Sequence, residues 1–354
     1  MNISVEQLIF SNYVRYDRLK DIVNSAFNGS NATKLNIYID LYSILKPIYN
    51  DGVRIENYNI ITSMIINMCA HYRDFFKTRY ATKTEFYIIY SENCPYINNQ
   101  FCKDYNYNNF ICITNNKFMH NVIAQNIILL DELCKYLPDI HFIQTTFESG
   151  VLIEDLIIRE LNSNTEHGPH MIISKDKYLY QLAALSMKNV IILRPKKYNK
   201  DDISYYINGY NLIDTVIKER KIKYRPFINL NPGLLSLLYT LTNCDRNFKL
   251  VINTSAALKV IETMISNMLI PNSSITDINN LYDSIEKVCP KIVNHIDKAS
   301  FINRFKAIDI NIQHMIFTES IERNYSITNL YDPESVKIIN NKYFTKNPLD
   351  LNRL

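Results

Sequence analysis

The segment Met171-Ile-Ile-Ser-Lys-Asp-Lys-Tyr-Leu-Tyr-Gln-Leu182 indicates how the whole chain folds. Its first four residues, Met171–Ser174, form a short apolar run that stops at a polar turn, as a buried strand does. From Tyr178 to Ser186 the apolar residues have the spacing of a helix. A strand followed directly by a helix is the repeating unit of a parallel sheet, so this segment predicts an α/β domain.

The same alternation of apolar runs and helical segments continues on both sides. Four more strands are predicted, over Lys34–Asp40, Glu85–Tyr90, His141–Gln144 and Val190–Leu193. Predicted helices separate them, over Ile60–Tyr80, Asn121–Leu137 and Leu152–Leu161. After Tyr205 the pattern is helical almost to the end. The predicted fold is therefore α/β, with a parallel sheet flanked by helices and a mostly helical C-terminal region.

These patterns also divide the chain into regions. Its 354 residues leave room for two domains, or for one domain with a large insertion. A helical lead-in is expected over 1–30 and the α/β domain over 31–200. A helical region over 201–270 and a helical C-terminal extension over 271–354 complete the predicted organisation.

Composition excludes some classes of protein and leaves others open. Hydrophobic residues make up 47% of the chain and charged residues 21%, so the chain can bury a core and is not a disordered protein. The net charge of +4 is too small to indicate a nucleic-acid partner by itself. No GxxxxGK[ST], GxGxxG or GxSxG motif occurs, which argues against P-loop, Rossmann and α/β-hydrolase enzymes.

The expected location is inside a cell. The N-terminus lacks the pattern of a signal peptide, and no run of about 18 apolar residues predicts a membrane span, so no membrane partner is expected. The seven Cys residues show no CxxC spacing, which indicates free thiols in a reducing compartment. Abundant Ile, Asn, Lys and Tyr suggest an A/T-rich viral or phage genome, and then the host cytoplasm or a replication compartment.

Acidic residues follow several predicted strands where those strands end. Asp40 ends the first strand, Glu92 lies just past the second, and Asp176 follows the fourth by two residues. Glu154 and Asp155 begin the helix after the third strand. Because ligands bind outside the carboxyl ends of parallel strands, these acids are expected to converge on Mg²⁺ or Mn²⁺. The alternative is that they cap turns and stabilise helix dipoles.

Two motifs add a resemblance to a known family. Gly150-Val-Leu-Ile-Glu-Asp-Leu-Ile157, followed by residues 171–182, resembles the core of the flap endonuclease/PIN-like 5′-nuclease superfamily, and Lys34–Asp40 resembles its first strand. The resemblance covers about residues 34–265. It implies a PIN-like sheet and a degenerate helix-hairpin-helix DNA-binding segment within 201–270. It also implies a metal-binding catalytic set of Asp40, Glu154 and Asp176, with Glu92 and Asp155 in support.

Departures from the family motifs suggest a reduced site. Leu152, Tyr178, Asn243 and Arg246 stand where the family carries acids, and residues 248–256 lack the glycines of the family's hairpin. The remaining acids suit one cation better than two. Two functions follow from the resemblance: a divalent-metal-dependent nuclease acting on DNA or RNA ends or branched structures, or a catalytically inactive member that binds nucleic acid or serves as a structural or assembly subunit.

A cluster of cations is the predicted nucleic-acid surface, with DNA expected more than RNA. Lys and Arg pair with phosphates, and the tyrosines interleaved among them can stack on bases. The alternative is a solvated helix face. The cations are Lys196, Lys197, Lys200, Lys218, Arg220, Lys221, Lys223 and Arg225; the tyrosines are Tyr198, Tyr205, Tyr206, Tyr210 and Tyr224. The C-terminal helices are expected to offer a surface for a protein partner.

Overall fold

A computed structural model describes most of the chain between residues 34 and 315. The described ranges are 34–50, 59–91, 117–145, 149–162, 168–186, 189–194, 205–242, 250–270 and 277–315. The predictions for the lead-in over 1–30 and for Glu92, Lys196, Lys197 and Lys200 lie outside these ranges, as do those for Asn243 and Arg246.

A six-stranded, mostly parallel sheet forms the centre of the fold and confirms the predicted α/β class. Its strands lie in the order β3-β2-β1-β4-β5-β6; all neighbours run parallel except β6, which is antiparallel to β5. Helices are expected after Tyr205, but β6 forms there because its pairing with β5 buries Tyr206 and Ile207. The strands are β1 Lys34–Asp40, β2 Lys83–Ser91, β3 Ile140–Thr145, β4 His170–Ile173, β5 Val190–Arg194 and β6 Tyr205–Ile207.

Helices connect the strands and make up nearly all of the described C-terminal region. The first five are α1 Leu41–Asn50, α2 Ile60–Tyr80, α3 Lys117–Cys134, α4 Ser149–Asn162 and α5 Tyr180–Leu185. After β6 come α6 Leu212–Glu219, α7 Pro232–Leu241, α8 Thr254–Ser266, α9 Ile278–Val288, a 3-10 helix Pro290–Asn294 and α10 Lys298–Ile308. No helix in the described ranges is long and apolar enough to span a membrane.

Side-chain alternation along the strands creates a core on each face of the sheet. In β1, Leu35, Ile37 and Ile39 pack against the layer formed by α1, α2 and α3. Tyr38 points to the opposite face and joins a core that extends through the C-terminal helices as far as Ile310. The described C-terminal helices therefore pack on the same sheet face as α4 and α5. The domain boundaries given above stay predictions.

Helix α4 runs antiparallel to β1 across this second face. Near its C-terminal end, Glu160 accepts hydrogen bonds of 3.0 Å from the Asn36 side chain and 3.3 Å from the Tyr38 hydroxyl. Near its N-terminal end, the Ser149 hydroxyl donates to Asp40 at 2.8 Å. These contacts set the start of α4 beside the carboxyl end of β1.

A buried polar cluster joins the sheet domain to the C-terminal helices. The Ser236 hydroxyl of α7 lies 2.8 Å from Gln181 Oε1 of α5 and 2.8 Å from Asp309 Oδ2. Gln181 donates to the Ile308 carbonyl at 2.8 Å. Burial raises the pKa of Asp309. Because a hydroxyl carries one hydrogen, Ser236 cannot donate to both Gln181 and Asp309 at once.

Asp309→Asn is expected to raise the free energy of unfolding near neutral pH by about 1 kcal/mol. The amide removes a buried charge and supplies a donor to the Ser236 oxygen. In the wild type, the pKa of Asp309 is raised in the folded state, so the stability that this residue contributes is complete below its ordinary pKa of 3.8. That contribution is lost as the pH rises through the folded-state pKa. The difference in free energy of unfolding between Asp309→Asn and the wild type should therefore grow with pH, which urea denaturation below and above these two pKa values measures. A constant difference would contradict the argument.

Candidate functional site

Asp40, the predicted acid of the first strand, is buried at the carboxyl end of β1. Three serine hydroxyls from different parts of the chain surround its carboxylate. Ser43 and Ser174 donate to Oδ2 at 2.5 and 2.8 Å, and Ser149 donates to Oδ1 at 2.8 Å. The Ser43 oxygen also accepts the backbone N–H of Lys175 at 2.8 Å. This arrangement fixes Asp40 between β1, β4 and the start of α4.

Asp176 lies at the same edge of the sheet, in the turn between β4 and α5. Its backbone N–H donates to the Ser174 hydroxyl at 3.0 Å, and its Oδ1 accepts the Tyr178 backbone N–H at 2.9 Å. Its other oxygen, Oδ2, lies against Gly150, where a Cβ atom would be only 2.7 Å away. Asp40 thus contacts Ser149 while Asp176 lies against the next residue, so both carboxylates lie near the first turn of α4.

Helix α4 carries the other two predicted acids, Glu154 and Asp155, which have different surroundings. Glu154 is buried one turn after Gly150 on the same side of the helix. Asp155 is also buried, but it forms an ion pair with Arg159 at 2.7 Å, and His314 Nδ1 lies 3.0 Å from its Oδ1. The His314 contact connects α4 to the C-terminal helical segment over 310–315.

The oxygen ligands at this edge are of the type that a hard cation binds. Among the residues that the structure describes, no three His, Cys, Asp or Glu side chains lie close enough to hold a metal ion together. Mg²⁺, however, is commonly held by one or two carboxylates, with water and substrate phosphate completing its shell. Asp40 and Asp176 supply that number of carboxylates, and the serine hydroxyls lie beside Asp40.

The serines around Asp40 are the part of the site that sequence reasoning misses. Ser43 lies three residues after Asp40, a spacing that brings a hydroxyl back to a preceding carboxylate. Ser149 and Ser174 are 109 and 134 residues away from it in the sequence. Both precede residues already singled out, but the sequence contains no signal that either would donate to Asp40.

An ionic cluster centred on Glu219 adjoins the turn that carries Asp176. Glu219, at the end of α6, accepts a hydrogen bond of 2.6 Å from Lys177, which follows Asp176 in sequence. Glu219 also pairs with Arg194 of β5 and accepts a 2.8 Å hydrogen bond from the Tyr180 hydroxyl. The cluster ties the turn that carries Asp176 to β5 and α6, because all three elements contribute a side chain.

The described half of the predicted nucleic-acid surface begins at the end of α6. Lys218, Lys221, Lys223 and Arg225 are exposed, although Arg225 forms a surface ion pair with Asp214 at 3.1 Å. Lys221 has a backbone φ of 51°. This left-handed conformation, just after the end of a helix, is one that glycine usually adopts. The Ile222 N–H closes the helix end by donating to the Ile217 carbonyl at 3.0 Å.

These cations border a surface groove of about 530 Å³. Arg220, Lys221 and Lys223 form one side of it, and Asn253, Thr254 and Ser255 at the start of α8 form the other. The described residues that line the groove include three cations and no acid. The groove is therefore suited to an anionic ligand such as a phosphate backbone.

Two of the interleaved tyrosines, Tyr206 and Tyr224, are held by contacts within the fold. Tyr206 is buried in β6, and the Tyr224 hydroxyl is bound to the Ser255 carbonyl at 3.2 Å. Lys259 lies over the Tyr224 ring at 5.4 Å. Tyr210 is exposed, whereas Tyr198 and the Tyr205 side chain lie outside the described part of the chain. The spacing of tyrosines along the sequence does not indicate which of their rings are buried in the core.

Lys221→Gly is expected to stabilise the protein and weaken its binding to nucleic acid. Relief of the left-handed backbone should add roughly 0.5–1 kcal/mol to the free energy of unfolding. Loss of one phosphate contact should reduce the slope of log K against log salt by about 0.7–0.9. Urea denaturation and salt-dependent fluorescence anisotropy measure the two effects.

The matched control for Lys221→Gly is Met268→Gly. Met268 has a φ of 56° but no charge, so its replacement should stabilise the protein without changing binding. If both variants bind nucleic acid with the wild-type salt dependence, Lys221 does not contact phosphate.

Comparisons with known proteins report similarity at the level of structure only. No family model and no curated protein sequence matches the chain. A flap endonuclease of bacteriophage T5, in complex with DNA and metal ions, is 12% identical with a TM-score of 0.44, over 80% of this chain and 98% of that one. A zinc-bound T5 5′-exonuclease is 11% identical with a TM-score of 0.46, over 81% and 98% of the two chains.

A third solved structure is the catalytic core of Rad2 bound to a DNA substrate. It is 13% identical, with a TM-score of 0.37 over 78% of this chain and 79% of that one. A flap endonuclease, the family that the sequence motifs resemble, is thus among the solved structures to which the chain is similar.

Proposed function

We propose that the protein is a divalent-metal-dependent nuclease that hydrolyses phosphodiester bonds at nucleic-acid ends or branched structures. The observation that carries the proposal is the placement of Asp40 beside Ser149 and of Asp176 beside Gly150 at the start of α4, at the carboxyl edge of a parallel sheet. Asp40 is buried at this edge, and a bound cation would offset the cost of burying its charge. Glu154 is proposed as the third acid of the site.

Each residue has a defined task in this proposal. Asp40 and Asp176 would hold one Mg²⁺ or Mn²⁺, which supplies an activated water and polarises the scissile phosphate when bound. The serine hydroxyls keep Asp40 in one orientation, so its oxygens do not have to reorganise. Gly150 leaves room for the Asp176 carboxylate that a larger residue would displace. Asp155 is proposed to anchor α4 through its contact with His314.

The cationic groove is proposed to hold the substrate backbone. Arg220, Lys221 and Lys223 present positive charge to one open groove, and phosphate is the anion that DNA offers repeatedly. Lys196, Lys197 and Lys200 are proposed to extend this surface. DNA is proposed ahead of RNA, inside a host cell or its replication compartment. A protein partner is proposed for the C-terminal helices.

One observation favours a catalytically inactive alternative. Both oxygens of Asp40 already accept hydrogen bonds from serine hydroxyls, so this buried carboxylate is satisfied by protein groups alone. On this reading, the edge acids stabilise the fold, and the groove binds nucleic acid without cleaving it. The protein would then act as a binding or assembly subunit.

The test is cleavage of end-labelled DNA and RNA by the full chain. Single strands, duplexes and 5′-flap substrates should each be incubated with Mn²⁺, with Mg²⁺ and with EDTA. Cleavage that requires the cation supports the nuclease, and the preferred substrate identifies its class. Binding without cleavage on every substrate overturns the nuclease and supports the inactive alternative.

A further inference from the structure

Phe227 projects from the surface at the end of the cationic segment. Its side chain is 97% exposed, whereas Pro226 and Ile228 on either side are buried. The Phe227 backbone N–H donates to the Glu262 carboxylate of α8 at 2.8 Å. A single exposed apolar residue is ordinary. Here, however, the backbone is anchored on both sides and by a hydrogen bond, so the ring is held outward.

The segment that ends at Phe227 runs along the surface of α8. Tyr224 contacts Ser255 and Lys259, and three residues later Phe227 contacts Glu262. Ser255 and Glu262 are seven residues apart, or about 10 Å along a helix axis. Phe227 therefore lies about two helical turns from the groove, in line with it.

The surroundings of Phe227 are polar. Arg225 and Asn229 are both exposed, and Lys221 and Lys223 precede them toward the groove. The acids in contact with this segment, Asp214 and Glu262, pair with Arg225 and with the Phe227 backbone. An apolar protein partner would need a wider apolar area than one ring among charged and amide side chains.

We infer that Phe227 stacks on an unpaired base of a single nucleic-acid strand whose phosphates lie in the cationic groove. Aromatic rings beside a basic track are the recognition elements of single strands, because every base offers a π face. A duplex keeps its bases paired and stacked, so it has none to place on this ring. The inference rests on the proposed nucleic-acid partner and adds its form: a single strand or the unpaired arm of a junction.

The first variant tests the contribution of the ring to affinity. Phe227→Ala should weaken binding of a single-stranded oligonucleotide roughly five- to 150-fold. Binding of a blunt duplex should change less than about twofold, because phosphate contacts dominate duplex binding. Ile128→Ala is the matched control: Ile128 is 64% exposed on α3, on the opposite side of the sheet, and its loss should leave binding unchanged. Anisotropy measured in EDTA separates binding from cleavage.

The second variant reports stacking directly. The chain contains no Trp, so Phe227→Trp introduces a single indole fluorophore at the site. Single strands should quench its emission and bind with at least wild-type affinity. An oligonucleotide made entirely of abasic sugar-phosphate should bind weakly and cause no quenching.

The outcomes distinguish this inference from the proposed function. Wild-type single-strand affinity in Phe227→Ala, or no quenching of Phe227→Trp by bound single strands, overturns the stacking inference even if the protein cleaves nucleic acid. Quenching with the predicted loss of affinity supports it even if no substrate is cleaved. If the wild type binds no single strand, the inference is wrong, and the cleavage assay still decides the nuclease independently.

Discussion

Asp176→Asn is expected to lower the rate of nucleic-acid hydrolysis roughly a thousandfold while the protein stays folded. The substitution removes the negative charge that would face the cation but keeps an oxygen that can accept the Tyr178 N–H. The effect is large because a metal ion contributes several kcal/mol of charge stabilisation in the transition state. Single-turnover cleavage with Mn²⁺, on the substrate that the wild type prefers, measures it.

Asp283→Asn serves as the control for this experiment. Asp283 is an exposed acid of α9, paired with Lys298 at 2.7 Å. The same change of Asp to Asn there should leave hydrolysis unchanged. Wild-type cleavage by Asp176→Asn would contradict the assignment of Asp176, whereas equal losses in both variants would indicate a general electrostatic effect.

Glu219→Gln is expected to lower the free energy of unfolding by roughly 2–3 kcal/mol. The Glu219 side chain is 11% exposed and is the shared partner of Lys177 and Arg194, which are 18% and 24% exposed. Gln preserves the shape of the side chain but leaves two neighbouring cations without its charge. This loss of stability is smaller than the loss expected when a fully buried ion pair is broken, because water still reaches both cations.

Two comparisons show whether the Glu219 cluster causes this loss. Asp283→Asn breaks an ion pair whose side chains are 46% and 44% exposed, and it should cost less than about 1 kcal/mol. Arg194→Gln in the Glu219→Gln background should cost less than Arg194→Gln alone, because the two side chains interact. Additive urea-denaturation energies would contradict a direct interaction between Glu219 and Arg194.

The strand and helix order could be predicted because it depends on local patterns. Lys34–Asp40 and Val190–Leu193 are compact apolar runs, and both lie within strands of the observed sheet. The ends of helices were predicted less accurately than their order. Helix α4, for example, begins at Ser149, three residues before the predicted Leu152. β6 was missed because Tyr205–Ile207 becomes a strand only by pairing with β5.

Local patterns likewise predict part of the candidate site and miss the rest. A carboxylate at a strand end can be seen in sequence, and in the structure Asp40 lies beside Ser149 and Asp176 beside Gly150. The contact between Asp155 and His314 could not be seen, because His314 is distant in the sequence and reaches Asp155 only through packing. Exposure is also a tertiary property, and it separates the outward Phe227 from the buried Tyr206.

The sequence by itself determined the α/β class, the parallel strands and the acids at their ends, because apolar spacing along the chain encodes which residues must leave water. Only the tertiary structure decided which polar groups meet. The bonds of Ser149 and Ser174 to Asp40, the contact of Asp176 with Gly150 and the cluster around Glu219 all join segments far apart in the chain. Such contacts depend on the packing of whole elements, for which no local pattern exists.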